Sequence, residues 1–585
     1  MTRKRKGLMR LLALMAALAI VAGACGGNDN DDASSGGTST TKPSGGETSE
    51  PEEEVSPSYG GKIVVGVETE TNEWTPGKGS FAAPGTIIAL SIYDPLVNLD
   101  ANGLYKPFLA ESLEANDELT EWTVTLREGV QFHDGTPLDA ETLKWNFDTL
   151  HFAEGARNRG TLVNAGVTGM EIVDDLTVKY VLSEPNAGFP DLIRANIGYP
   201  ISREAYEADP EGFGNRPVGT GPFEFVSWTR DDRLVVKRNE NYWMTAANGD
   251  QLPYLDGIEF RVIPDDESRV AALAADDIQM IQSLRGPSIK RVLSMMDSGG
   301  FDGALSAGNQ SSVTMINTLV PPLDDVRIRR ALAYANDQDA MARVRDDDGL
   351  VPNAIGAFAE DSPWFSREAM VDYPGIDGAN PERAAELVEE YKADPDRSDG
   401  KPVGAAVTAT YECQPDPSLL QGAQLLQSLW GEIGIDLELI QVDQATMIAH
   451  VVGTADTDPP FKGNFMLACY RAGAGESDPL TYFRGAFGPV ATTASNPSNL
   501  TDPRIDEALE VLATNTDFEV RFEAVSEINR VTSELVPYVW NVGTPTMVGY
   551  RDDIKGVTSW LLPDGSPGTG ADYGYARFYN IFIQR

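Results

Sequence analysis

The stretch Leu126-Arg127-Glu128-Gly129-Val130-Gln131-Phe132-His133-Asp134-Gly135-Thr136-Pro137-Leu138 decides how this chain folds. Asp134-Gly135 lies between two β-like runs, and an Asp-Gly pair in that setting signals a tight hairpin turn, because glycine accepts the positive φ that such a turn requires. Asp139 follows as an N-cap candidate. Behind it, residues 139–150 place Leu143, Phe147 and Leu150 on one helical face and also carry Trp145. Strand, turn and capped helix follow one another within a short span.

The same alternation recurs on both sides of this stretch. Lys62-Ile63-Val64-Val65-Gly66-Val67 is a β-branched run with glycine before it, read as a buried strand. Similar runs fall at residues 122–126, 176–182, 234–237, 258–263, 403–411, 435–442 and 464–469. Between them lie helical patterns. Residues 381–391 have Pro381 in the first turn and Ala384, Leu387, Val388 and Tyr391 on one face. Residues 419–433 form a longer amphipathic helix, with Gly434 as its C-cap. Strands alternating with helices argue for an α/β fold.

The chain has 585 residues, with 89 acids against 46 bases and a formal net charge of −43. Binding nucleic acid rests on clustered Lys and Arg that displace counterions, so this balance argues against it. Hydrophobic content of 41% supports large cores, and three cysteines in so long a chain exclude a disulfide-stapled miniature.

The first residues read as an export address. Arg3, Lys4, Arg5, Lys6 and Arg10 precede an apolar run over residues 11–22, shorter than the roughly 20 residues a spanning helix needs. Val21-Ala22-Gly23-Ala24-Cys25 then resembles a bacterial lipobox, which implies removal of residues 1–24 and lipid attachment at Cys25. Residues 26–58 hold Gly, Ser, Thr, Pro and acids such as Asp31, Glu47 and Glu53, with little to bury. Such a segment cannot offset its ordering entropy; as a flexible coil it spans ~30 Å, a tether from a membrane.

The quoted stretch closely resembles the signature region of the family 5 extracellular solute-binding proteins, the dipeptide and oligopeptide receptors of ABC importers. Other landmarks occur in that family's order: Ile92-Tyr93-Asp94-Pro95-Leu96-Val97, Leu109-Ala110-Glu111-Ser112-Leu113, Gly219-Thr220-Gly221-Pro222-Phe223, Asn241-Tyr242-Trp243, then residues 321–332, 429–435 and 499–509, and Arg521 with Val536-Pro537-Tyr538. The glycine-rich loop at 219–223 is a turn and not a phosphate cradle, since G-x-x-x-x-G-K-[ST] is absent. Arg327 to Arg330, following Asp324 and Asp325, reads as an ion-paired helix start.

The resemblance implies a two-lobed fold of the type II periplasmic-binding-protein kind with an extra domain inserted in the first lobe. Residues 60–95, 217–310 and 541–585 would form lobe I, 96–216 the insertion and 311–540 lobe II, behind a linker at 25–59. It further implies a monomeric, lipid-anchored receptor outside the cytoplasmic membrane that closes on a small solute, a peptide above all, and delivers it to permease subunits. The alternatives are a non-peptide solute on the same scaffold, or a ligand-sensing lipoprotein without a permease.

Ligands of open α/β sheets bind beyond the carboxyl ends of strands. Glu68, Glu70 and Trp74 follow the first strand, Asn309 follows the lobe-crossing segment, and Tyr411, Tyr470 and Arg471 stand at strand ends in lobe II. Peptide-binding members commonly place an aspartate near Arg471 to pair with a ligand α-ammonium group. Either Glu476 or Asp478 takes that role here, or the ligand lacks a free amino group.

The expectation for catalysis is negative. The histidines are His133, His151 and His450, and neither H-E-x-x-H nor G-x-S-x-G occurs. No cofactor or metal site is expected. Cys413 and Cys469 remain in the mature body in an oxidising compartment. In the implied strand order they fall on neighbouring strands, so a disulfide is expected, the alternative being two buried apolar thiols.

Overall fold

In the computed structural model, Lys62–Val67 pairs in parallel with Gly257–Val262 on one side and Met280–Ser283 on the other. A strand flanked this way needs apolar groups on both faces, which its β-branched run supplies. Described are residues 56–79, 81–347, 349–452, 463–475, 478–489, 496–571 and 575–585; Cys25 and the linker up to residue 55 lie outside them.

From that strand one ten-stranded sheet extends in both directions. Its order is Ile435–Gln441, Val407–Cys413, Leu467–Ala472, Phe301–Ile316, Tyr538–Arg551, Met280–Ser283, Lys62–Val67, Gly257–Val262, Arg233–Arg238, Phe223–Thr229. The two long central strands, Phe301–Ile316 and Tyr538–Arg551, run antiparallel and cross between lobes, and their register shifts between Ala307 and Ser311 and again between Ser311 and Val313. Such irregularities bend a ladder and leave groups unpaired, which suits a joint between two rigid bodies.

The fold is α/β and two-lobed, with an extra domain inserted in the first lobe. The insertion has its own antiparallel sheet, ordered Ala110–Ala115, Glu121–Leu126, Thr177–Leu182, Val167–Ile172, over a core with Trp122, Phe147 and Tyr180. The first lobe buries Ile63, Val65, Phe260 and Phe578 together, and Leu150, Tyr199, Ile201 and Phe213 from the latter part of the insertion join that core. Trp430, Leu332, Val388 and Leu467 belong to a separate core in the second lobe.

The hairpin forms as its chemistry dictates. Gly135 sits at φ +84, and Phe132 N–H donates to Thr136 O at 2.8 Å. Asp139 caps the next helix by accepting from Thr142 N at 2.8 Å. That helix, Ala140–Asn146, widens into a π turn over Phe147–His151. The widening follows Asn146, whose buried side chain binds both backbone groups of Ile201 at 3.0 Å. His133 ties the hairpin to the glycine-rich loop: Gly219 N–H donates to Nδ1 at 3.3 Å and Nε2 meets Gly221 O at 2.9 Å. Burial lowers its pKa, so the imidazole stays neutral with its proton on Nε2. A Cβ on Gly221 would fall 2.4 Å from the Ile92 carbonyl carbon, which is why only glycine fits.

Two strands differ from the sequence reading by more than one residue. The strand expected from 403 begins at Val407, because Gly404, at φ +80, is held to the preceding helix by its N–H to Lys392 O at 2.8 Å. The strand expected over 464–469 runs instead over Leu467–Ala472, where Ile316 through Ser311 of the crossing strand offer a ladder.

Candidate functional site

Three cavities lie side by side along the crossing strand Phe301–Ile316. One of about 480 Å³ takes Arg285 from the first lobe, Gln310 and Ser312 from the crossing strand, and Arg345, Tyr470 and Arg471 from the second. The next, about 400 Å³, shares Gln310 and is walled by Phe81, Thr86, Trp560 and Arg577 of the first lobe and Arg194 and Tyr199 of the insertion. The third, about 800 Å³, shares Gly475, Thr569 and Gly570 with the second and reaches Trp364 of the second lobe. Together they form a cleft whose walls come from both lobes, at the strand ends where ligands of open sheets are held.

The structure divides the residues expected at this site. Tyr470 and Arg471 line the first cavity. Glu68 stands behind it, its carboxylate 3.3 Å from the Arg285 guanidinium. Asn309 falls within the crossing strand, inside the register shift between Ala307 and Ser311, but its side chain lies outside what is described.

Trp74, Glu70 and Tyr411 do not line these cavities. Trp74 is fully buried, its ring 5.6 Å from that of Trp228, because the chain turns back into the first lobe after the strand. Glu70 accepts from Trp228 Nε1 at 2.7 Å and Asp231 N at 2.9 Å, fastening the hairpin between Phe223–Thr229 and Arg233–Arg238. Tyr411 packs in the second-lobe core against Trp430, with Thr314 Oγ1 3.3 Å from its hydroxyl. Burial raises that phenol's pKa to about 12.

Cys413 and Cys469 lie on neighbouring parallel strands whose register, Tyr411 opposite Leu467 and Glu412 opposite Ala468, brings the cysteines level. Their sulfurs are joined at 2.02 Å. Cys469 also lines the first cavity, so the bridge braces its floor.

Asp478 is committed elsewhere. It is 3% exposed, caps the helix Pro479–Phe487 through Leu480 N at 2.9 Å, and is ion-paired with Arg521 at 2.6 Å. A ligand ammonium would have to displace that guanidinium. Glu476 lies outside the described residues. The paired helix start at Arg327 does appear, with Asp325 at 2.6 Å and Asp394 at 2.9 Å. Arg329 and Arg330 instead donate to carbonyls at the end of the helix Phe518–Leu535 and nearby. His450 meets a carboxylate from outside its own helix: Glu412, remote in sequence, lies 2.9 Å from Nδ1.

The lobes touch across the cleft. Ala187 N–H of the insertion donates to Ala513 O at 2.9 Å, Arg484 meets Glu184 at 3.2 Å, and on the opposite rim Lys290 meets Asp346 at 2.7 Å. Gln310, Arg285, Trp560 and Arg577 were not singled out in the sequence, where no local pattern marks them.

A bent joint, two lobes in contact and a lined cleft define a solute-trapping protein. The sequence profile of the bacterial extracellular solute-binding proteins, family 5, matches residues 105–493, and the chain belongs to that family. It is accordingly a binding protein and not an enzyme. Among curated relatives, the glutathione-binding protein GsiB of Salmonella paratyphi A is 24% identical over 483 residues, covering 82% of this chain and 88% of the relative. Among solved structures, the periplasmic binding protein DppA of Helicobacter pylori in complex with the peptide STSA superposes with TM-score 0.71 at 19% identity, covering 90% of this chain and 99% of that one. NikA of Brucella suis with Fe(III)-EDTA gives TM-score 0.71 at 22% identity, covering 89% and 100%.

Proposed function

We propose that this protein is the lipid-anchored receptor of an ABC importer, capturing peptides between its lobes and handing them to permease subunits. The observation that carries this reading is the cleft itself. Its walls come from both lobes, it lies along a strand with two register shifts, and it offers aromatic faces beside arginines, the combination that holds a chain with polar ends. Relatives named for glutathione and a neighbour solved with a peptide support the solute class. On this proposal, domain limits lie at 60–95, 217–310 and 541–585 for lobe I, 96–216 for the insertion and 311–540 for lobe II, with Leu150, Tyr199, Ile201 and Phe213 of the insertion packing into the first-lobe core. The receptor works as a monomer.

Native mass spectrometry of freshly purified protein tests the solute. Release of a peptide series is expected; a single non-peptide mass would replace the peptide and leave the receptor. The second reading, a non-peptide solute, is favoured by one observation: Asp478 is occupied by Arg521. Permease and ATPase genes beside this one would separate an importer subunit from a sensing lipoprotein. For the anchor, Cys25→Ala should move the protein from the membrane fraction to the soluble one.

A further inference from the structure

We infer that the trapped solute is an organic anion, with a carboxylate group gripped by Arg577 in the middle of the cleft. This rests on the cleft being the solute site and adds the charge of its occupant. The chain carries 89 acids and 46 bases, so a surface drawn at random from it would show about two acids for each base. The middle cavity departs from that ratio: its described lining holds Arg194 and Arg577 and no acid, and since Arg194 is already paired with Asp191 at 3.3 Å behind the wall, Arg577 is the charge that counts. The adjoining cavity is lined by Arg285, Arg345 and Arg471 beside Asp416, whose carboxylate caps a helix through Leu419 N at 3.0 Å; Arg285 is paired with Glu68 and Arg345 with Asp347, so the excess charge there is small.

Arg577 carries the argument furthest. Among the described residues no carboxylate lies within ion-pair distance of it. Asn98 Oδ1 accepts one of its donors at 3.2 Å, and its guanidinium lies 5.4 Å from the Trp560 ring centre. A guanidinium has five N–H donors, so most of this one's capacity is unspent within the protein. A guanidinium set against an indole keeps its N–H edges available for bidentate recognition of a carboxylate. Ala82 and Ala83 of the same lining begin the helix Ala83–Ile92, which has no side-chain cap and no acid in its first turn, so its positive end adds to the same field.

The acidic exterior does not oppose this. Charges beyond ~8 Å are screened at physiological ionic strength, whereas groups lining a cleft act at contact range. A bare oxyanion would leave most of about 400 Å³ empty and its aromatic walls, Phe81, Tyr199 and Trp560, untouched. The occupant is therefore an organic acid or an acidic peptide.

Calorimetric titration of the purified protein with glutathione, citrate, trialanine and trilysine tests this. An anionic probe, glutathione or citrate, should bind at least about tenfold tighter than trialanine, the worth of one charge-assisted contact. Arg577→Gln should shrink that ratio by about tenfold. Wild-type affinity for the anionic probe should also fall with added salt while that for trialanine holds, a readout that needs no variant. Citrate binding without any peptide would remove the peptide reading and sustain this inference. Trialanine or trilysine binding as tightly as the anionic probes would overturn the inference and keep the peptide reading. No binding by either anionic probe, or an Arg577→Gln variant that weakens all probes equally, would also overturn it.

Discussion

Asp94 and Trp243 stand 149 positions apart in the chain, and the indole Nε1 donates to the Asp94 carboxylate at 2.9 Å. The other carboxylate oxygen receives the Tyr242 hydroxyl at 3.1 Å. Two motifs, Tyr93-Asp94-Pro95-Leu96 and Asn241-Tyr242-Trp243, are thus two halves of one buried lock. Both carboxylate oxygens are used, yet burial dominates and raises the Asp94 pKa from 3.8 to about 7; the two hydrogen bonds and the more distant Arg577 oppose that rise without cancelling it.

A folded-state pKa raised above the unfolded value means that the native state takes up a proton. The resulting stability is fully present below pH 3.8 and is lost as pH rises through about 7. Asp94→Asn keeps a carbonyl for Trp243 and offers an amide N–H to the Tyr242 oxygen, with no charge to bury. It should raise stability at pH 8 by about 1–3 kcal/mol, below the ~4 kcal/mol ceiling of a three-unit shift. Denaturant unfolding at pH 5 and pH 8 measures this. A variant less stable than wild type at both pH values would show that the charge is wanted.

How far such relations are legible in sequence depends on their range. The turn at Asp134-Gly135 and the cap at Asp139 are local, and local chemistry states them in full. The order of strands follows from alternation and from motifs taken together. Trp74 and Tyr411 were misplaced because a position after or at the end of a strand does not say which way the chain turns next, and here both side chains enter cores. The cleft's arginines come from far-apart segments, at 194, 285, 345, 471 and 577, each unremarkable in its own neighbourhood. Only the sheet's crossover brings them to one opening, and no period or spacing encodes that.

Asp478 offers a sharp contrast between a structural and a ligand-binding carboxylate. Removing its charge leaves the Arg521 guanidinium, 9% exposed at the side chain, without its counter-charge. Breaking a buried pair from one side costs about 3–5 kcal/mol. Asp478→Asn should therefore lower the unfolding midpoint in the absence of any solute. An aspartate reserved for a ligand ammonium would instead weaken binding and leave the solute-free melt unchanged.

The bridge between Cys413 and Cys469 closes a separation of 56 residues. Chain entropy assigns about 4 kcal/mol to a loop of that size, although strain and residual structure commonly reduce it. Intact mass with and without reductant should differ by two hydrogen atoms after export, and the Cys413→Ser/Cys469→Ser double variant should lose about 2–4 kcal/mol in denaturant unfolding. Since Cys469 lines the cleft, the same variant should also bind solute more weakly. Two free thiols in the exported protein would refute the first expectation directly.

Closure can be weakened without touching the solute. Arg484 and Glu184 join the second lobe to the insertion at 3.2 Å, and neither lines the three cavities of the cleft. The pair is partly screened, with side-chain exposures of 18% and 54%, so its contribution is about 1 kcal/mol or less. The Ala187–Ala513 backbone bond beside it persists when the pair is removed. If the closed form is the one that holds solute, apparent affinity scales with its population, and Glu184→Gln should raise Kd by about two- to fivefold. Arg484→Gln should do at least as much, since Arg484 also donates to Asn164 O at 3.4 Å, and the double variant should lose no more than Arg484→Gln alone, because Glu184 then has no partner left to lose. Small-angle scattering of the solute-free variants should show a larger radius, with the unfolding midpoint of each lobe unchanged. Equal affinities in all four proteins would mean that this rim contributes nothing to holding the lobes shut, and would leave the Lys290–Asp346 contact on the opposite rim as the one to remove next.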